Sequence, residues 1–271
     1  MKVYISVDME GIACITSTRL EGADDERGRK WMTAEANAAV EAAFACGATE
    51  VVVADAHGNM RNLLPDELHE DALLVRGSPR PLCMMEGLDA TFDAAFLIGY
   101  HAMSGTAHGM MAHTYLGMVH AIRLNGITVG ETGFNAAIAG HLGVPVALIC
   151  GDDTLDAEVS ALMPWAERVV VKWAISNWSA RNLTPQAAQK RIREGARRAL
   201  DRLAEMELLA LETPIRFEVE FGPPMYATLG SDIPGVERIG GRTLSYEGAD
   251  MLDVTRTLRL ILNAAQTQSP V

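Results

Sequence analysis

The 271-residue chain is short of cysteine, of aromatic residues and of positive charge. Its four cysteines, Cys14, Cys46, Cys83 and Cys150, are scattered with no C-x-x-C pair. That argues against a disulfide framework and makes reduced thiols the simpler reading. Lys and Arg total 23 against 35 Asp and Glu, a net charge of −12. A general nucleic-acid or anionic-membrane partner needs a basic face, so both are excluded. No apolar run approaches the roughly 20 residues of a bilayer span. The longest, such as Ala94 to Gly99, are strand-sized. The opening Met1-Lys2-Val3-Tyr4-Ile5-Ser6-Val7-Asp8 lacks the three regions of a signal peptide, so a cytoplasmic location is expected. What remains is a globular composition, 49% hydrophobic and 21% charged, with 14 Met as flexible core filler.

Val3, Ile5 and Val7 lie in a run uncharged on both faces until Asp8, as in a strand buried within a parallel sheet. An Ala-rich stretch predicts a helix from about Glu26 to Cys46, stopped by Gly47. Glu50–Asp55 reads as the next strand, which completes a βαβ unit. Further strands are expected at 71–75, 94–100 and 144–150. A hairpin turns at Asn125-Gly126, and a helix runs from Gly130 to His141. Asp152 or Asp153 is placed to cap the following helix. Thr184-Pro185 opens a helix reaching about Leu209, followed by a strand at 215–221 and a final helix from about Gly248 to Asn263. The expected fold class is α/β: a mostly parallel, Rossmann-like sheet with flanking helices, plus a smaller C-terminal α+β part. The division falls at 1–178, the α/β metal-binding catalytic domain, and 179–271.

Ligands of open α/β sheets bind beyond the carboxyl ends of the strands. Asp8 and Glu10 end the first strand, and their spacing of two puts both on one face if the strand continues. His57 follows the second strand, His101 ends the apolar run Leu97-Ile98-Gly99-Tyr100, and Glu131 starts a helix. Each has an ordinary alternative. Asp8 and Glu10 read equally as a solvated strand end, His101 as a hydrogen-bonded core histidine, and Glu131 as a charge favoured by the helix dipole. Asp55 either orients His57 as a metal ligand from behind or is a plain loop residue. Taken together, two imidazoles and three carboxylates suit Zn²⁺ or Mn²⁺, with Co²⁺ as a possible substitute. Five protein ligands are too many for one tetrahedral ion. They match two ions about 3.5–4 Å apart that share a carboxylate and activate a water for amide or ester hydrolysis. His113 is a candidate general acid/base or oxyanion stabiliser. His69, His108, His120 and His141 read as surface or structural.

Nucleotide-binding glycine motifs, G-x-S-x-G and H-E-x-x-H are all absent. Ser104 and Cys14 are nucleophiles without a named base. The open readings are therefore a binuclear metal hydrolase of an amide, ester or phosphoester, or a non-catalytic small-molecule binding protein.

The motif Ser6-Val7-Asp8-Met9-Glu10-Gly11 resembles the S-x-D-x-E-G signature of the zinc-dependent D-aminopeptidases of the bacterial dipeptide-transport operon. The likeness continues in order through Glu26-Arg27-Gly28-Arg29, Met32 to Asn37, Asp55-Ala56-His57, Met85 to Asp89, Gly99 to Ala102, Met111-Ala112-His113 and Gly130-Glu131. It covers most of residues 1–175 and fades after them. The resemblance implies a binuclear zinc aminopeptidase acting on the N-terminal, possibly D-configured, residue of short peptides or amino-acid amides. It implies that Asp8 bridges two Zn²⁺ ions. Glu10 and His57 would complete one site, His101 and Glu131 the other, and His113 would match the family's catalytic histidine. It also implies a homodecamer of stacked pentamers. Ala13–Thr18 departs from the family's pattern beside the implied ligands, which leaves side-chain and stereochemical preference open.

Overall fold

A computed structural model describes residues 1–17 and 23–267. The chain runs through β1 (Lys2–Val7), α1 (Ala23–Ala45), β2 (Glu50–Asp55), β3 (Leu73–Val75), β4 (Ala94–Tyr100), β5 (Val119–Leu124), β6 (Ile127–Val129) and α2 (Glu131–His141). It continues with β7 (Val146–Asp152), α3 (Asp153–Leu162), β8 (Glu167–Ser176), β9 (Ser179–Asn182) and α4 (Pro185–Asp201). The last elements are β10 (Ile215–Phe221), α5 (Pro224–Gly230), β11 (Glu237–Arg238), β12 (Thr243–Gly248) and α6 (Met251–Gln266).

Seven strands form one sheet in the order β3-β2-β1-β4-β7-β8-β9, parallel except for the antiparallel edge strand β9. The α/β class expected from the sequence is therefore observed. One face of the sheet is covered by α1 and α4, whose buried alanines and Ile192 pack on Ile5, Val53 and Leu148. Against the other face lie α2 and α3, and beyond them α6 and a second, antiparallel sheet ordered β11-β12-β10-β5-β6. Phe134 of α2 meets Phe217 of β10 edge-on, with ring centroids 6.5 Å apart. No helix among the described residues is long and apolar enough to cross a membrane.

The sheets share the chain differently from a division at residue 178. The β5–β6 hairpin, which precedes that point, belongs to the second sheet. Strand β9 and α4, which follow it, belong with the parallel one. Local pattern cannot show which sheet a hairpin joins, because the pairing partner lies far along the chain. The hairpin turn itself is as expected, with Asn125 at φ 50° and Gly126 at φ 83°. Strands β8, β9, β11 and β12 and helix α5 are additions to the sequence pattern, and α4 ends at Asp201, short of the expected Leu209.

Chain order reverses between β1 and β4, which lie side by side while β2 and β7 flank them. This is the switch point where an open α/β sheet leaves a crevice. Past β1 the chain does not continue as a strand but turns. Asp8 N–H donates to Ile98 O at 2.8 Å and Gly11 N–H to Gly99 O at 2.7 Å. The approach is close enough that a Cβ on Gly11 would fall 1.9 Å from Tyr100 O. Gly11→Ala should therefore cost more than about 3 kcal/mol, as a backbone clash with no flexible neighbour to yield. Urea denaturation checks it, and a midpoint like that of the wild type would show the contact to be soft.

Candidate metal centre

Asp8 and Glu10 are both almost fully buried, Asp8 directly after β1 and Glu10 in the turn. The turn, rather than strand alternation, brings them to one place. Three carbonyls of this segment, Glu10 O, Ile12 O and Ile15 O, accept hydrogen bonds from the Lys172 amine of β8, the last two at 3.1 and 2.8 Å. His57 lies two residues beyond β2, His101 one beyond β4, and Glu131 is the first residue of α2. His113 sits on the long 101–118 connection. That segment is tied to the β8–β9 turn by Met111 N–H to Asn177 O at 2.9 Å and Asn177 Nδ2 to Gly109 O at 2.9 Å.

All six side chains converge. His57 Nδ1 is 2.8 Å from Glu10 Oε2 and 3.3 Å from Asp8 Oδ1. His101 Nε2 is 3.5 Å from Asp8 Oδ2 and 3.6 Å from Glu131 Oε2. His113 Nε2 is 3.6 Å from Glu131 Oε1 and 4.0 Å from Glu10 Oε1, and its ring stacks on His101 at 4.3 Å. Three sets can each close around one cation: Asp8, Glu10 and His57; Asp8, His101 and Glu131; and Glu10, His101 and His113. The first two share Asp8 and are the sets that the resemblance implies.

Hydrogen bonding settles where the imidazole protons lie. His101 Nδ1 is 3.0 Å from Ala102 O and His113 Nδ1 is 2.9 Å from Met111 O. A carbonyl can only accept, so each Nδ1 carries hydrogen and each Nε2 is the ring atom turned toward the carboxylates, where it can hold a proton or a cation. Asp8 Oδ2 and His101 Nε2 are buried without a hydrogen-bond partner among the described residues. These two atoms, 3.5 Å apart, call for a proton or a cation between them.

The charges express the same demand. Burial and the Glu10 charge push Asp8 up to about 6. Burial also opposes the charge on Glu10, but His57, His101 and His113 hold it well below the usual carboxylate range. Burial disfavours the two charged imidazoles as well. Even so, Glu10 and Asp8 lift His57 well above its ordinary value, and Glu131 with the other carboxylates lifts His101 to about 10. The cluster thus draws in protons to balance three buried carboxylates, and divalent cations displace such protons on binding. The donor set, hard oxygens and borderline imidazole nitrogens, fits zinc or a similar ion.

Asp55 does not touch the His57 ring. Its carboxylate accepts from Leu63 N–H at 2.7 Å and from Asn62 Nδ2 at 3.0 Å, and that same Nδ2 lies 2.7 Å from His57 O. It holds the loop that carries the histidine. Of the two bare nucleophiles, Cys14 donates its thiol to Leu183 O at 3.4 Å with no base beside it, and burial pushes its pKa up. Its segment is tied to α1 and β9. Ala13 N–H donates to Glu35 Oε1 and Cys14 N–H to Asn182 Oδ1, each at 2.9 Å, while Thr18 lies outside the described residues. His108 is exposed.

The sequence pattern missed Lys172, Glu35 and Tyr115, whose N–H donates to Glu131 Oε1 at 2.6 Å. A lysine inside the run Val169 to Trp173 was a usable signal, since a charge in a buried strand needs partners. Four residues around the centre, Met60, Cys83, Met111 and Tyr115, hold left-handed backbone without being glycine, strain of the kind that collects at functional sites. Two cavities meet at Glu10 and His113. One of about 540 Å³ is lined by Met111, Asn177 and Trp178, and one of about 260 Å³ contains Asp8, His57 and Glu131.

An open α/β sheet with such a cluster at its switch point defines a hydrolase of the metal-dependent type. The chain belongs to the D-aminopeptidase family, peptidase M55, whose profile matches residues 1–260. It is 35% identical over 273 residues to the D-aminopeptidase of Bacillus subtilis (strain 168), an alignment covering 99% of each chain. The solved structure of the Zn-dependent D-aminopeptidase DppA from Bacillus subtilis, described as a self-compartmentalizing protease, superposes with a TM-score of 0.97. That match has 34% identity and covers 100% of both chains.

Glu35 of α1 is fully buried, and its Oε2 has no partner among the described residues. Burial pushes its pKa from 4.5 up to about 8, against the opposing pull of Ala13 N–H and Lys172. Between those values the folded state keeps a proton that the unfolded state releases, so stability falls as pH rises through the window. Glu35→Gln keeps an acceptor for Ala13 N–H and does not titrate. From pH 5 to pH 8 it should gain on the wild type by on the order of 3 kcal/mol in urea denaturation. Parallel pH profiles for the two proteins would contradict this.

Proposed function

We propose that this chain is a binuclear zinc aminopeptidase that removes the N-terminal residue, including D-configured ones, from short peptides or amino-acid amides. The observation that carries the reading is Asp8. It is common to two three-ligand sets, and its Oδ2 faces His101 Nε2 with neither atom hydrogen-bonded. In this reading Asp8 is shared by both ions, Glu10 and His57 complete one site, and His101 and Glu131 the other. The zinc dependence and D-aminopeptidase activity of the Bacillus subtilis relative support it. When bound, two such ions would polarise the scissile carbonyl and acidify a water.

The chain's own residues account for the rest. Glu10 lines both cavities and Glu131 the smaller one, so the free amine of a peptide's N-terminal residue would lie at the cluster, where a bound ion would receive it. His113 is the one histidine of the cluster that is substantially exposed to the cavity, at 27% of its side-chain surface. With hydrogen on Nδ1 held by Met111 O, its Nε2 takes a proton and returns it to the leaving amine. The 101–118 segment carries His113 on a backbone anchored to β8–β9.

A homodecamer in the cytoplasm belongs to the same reading. The self-compartmentalizing description of the relative supports assembly. So do Ile175 and Trp178, large apolar side chains exposed on the β8–β9 hairpin beside the larger cavity. All four cysteines are free thiols, as suits a reducing compartment.

Metal analysis of the purified protein should find about two Zn²⁺ per chain, lost with a chelator together with peptide cleavage. Asp8→Ala should retain less than one ion. A metal-free preparation that cleaves peptides at the same rate would sink the reading, and a panel of D- and L-aminoacyl amides against phosphoesters would expose a different substrate class. His113→Ala should keep its zinc and lose about 10²–10⁴ in kcat. Loss of metal in that variant would assign His113 to ligation instead.

A further inference from the structure

The cavity around Asp8, His57 and Glu131 continues into a third, of about 280 Å³, lined by Arg80, Arg259 and Asn263. The two share Gly58, Met60, Cys83, Tyr115, Leu116 and Gln266, so they form one cleft running from the acidic cluster to the face of α6. The Cys83 thiol marks the passage, since it feels the charges of both Arg259 and Glu131.

The two arginines of the third cavity differ in kind. Arg80 is spent on the backbone. Its Nη1 donates to Asp55 O and its Nη2 to Val75 O, each at 2.8 Å, and its Nε donates to Gly77 O. Arg259, half-buried on α6, has no hydrogen bond or ion pair among the described residues. A guanidinium that lines a cleft with its donors unused is set up to receive a carboxylate in a bidentate pair. In the aminopeptidase reading the free amine of the substrate lies at the cluster, which leaves the α6 end of the cleft, with Arg259, for the departing portion. A short peptide carries a free amine at one end and, at the other, a carboxylate that matches the Arg259 guanidinium. The larger cavity on the other side of His113 has no cation among its lining residues.

We propose that Arg259 binds the C-terminal carboxylate of the substrate, so that the enzyme favours dipeptides and other short peptides with a free C terminus over the same peptides blocked as amides. This rests on the aminopeptidase reading of the metal centre. It adds a polarity to the cleft: the N-terminal residue lies at the cluster and the departing portion runs past Tyr115 and Leu116 toward α6.

The test compares alanyl-alanine with alanyl-alanine amide, in both the D and L series, on the zinc-loaded wild type and on Arg259→Gln and Arg259→Lys. A charge-assisted contact of this type is worth roughly 10–100-fold. The wild type should show an acid-to-amide ratio of kcat/KM of about that size. The ratio should collapse toward one in Arg259→Gln through a raised KM for the acid, and recover in part in Arg259→Lys. Cleavage with the same ratio in wild type and Arg259→Gln, or with no preference for the acid in the wild type, would overturn this inference and leave the peptidase reading standing. Wild-type protein that cleaves neither peptide would overturn both.

Discussion

Three carboxylates share one buried point at the C-terminal ends of the central strands, and the structure around them is organised by their need for positive charge. Asp8, Glu10 and Glu131 are each at most 4% exposed. Anions this close cannot stay ionised in a low-dielectric site without compensation. Three imidazoles supply part of it, and Asp8 Oδ2 and His101 Nε2, buried with no hydrogen-bond partner among the described residues, leave the demand open. The chemistry proposed for the protein follows from this one electrostatic condition.

Holding that geometry is a backbone problem. Glycine at position 11 lets the Asp8–Glu10 turn lie directly against β4, and Lys172 gathers the carbonyls of the same turn from the far side of the sheet. Lys172 is itself fully buried, which lowers its pKa to about 8, although Asp152, Glu35 and Glu10 favour its charge. A buried charge held by three carbonyls is a costly way to fix a loop, and the loop it fixes here carries Glu10. The long 101–118 connection adds His113 only because Met111 and Asn177 tie it to the β8–β9 turn.

Much of this was legible in the chain itself. Alternating apolar strands, an Ala-rich helix and an Asn-Gly turn were enough for a mostly parallel α/β sheet, because each is a local pattern of period 2 or 3.6. The residues at strand ends were legible for the same reason: Asp8, His57, His101 and Glu131 each stand just past an apolar run. Their ordinary alternatives were not removable at that level, since a single histidine at a strand end looks the same whether it meets a backbone carbonyl or a cation. Lys172 in β8, Glu35 in α1 and Arg259 in α6 carried no motif, and their importance comes from partners, or the lack of them, far away in the chain.

The sequence by itself determined which segments become strands and helices and which ligand-type residues stand at their ends. These depend on neighbours within a few positions. Only the tertiary structure decided the sheet order, which puts β1 beside β4 and so Asp8 beside His101. Only it assigned the Asn125-Gly126 hairpin to a second sheet and drew Arg259 of α6 to the mouth of the cleft. Contacts of this kind join residues such as Lys172 and Glu10, 162 positions apart, and no local propensity encodes them. They are settled by which faces must be buried together and which charges must be matched once they are.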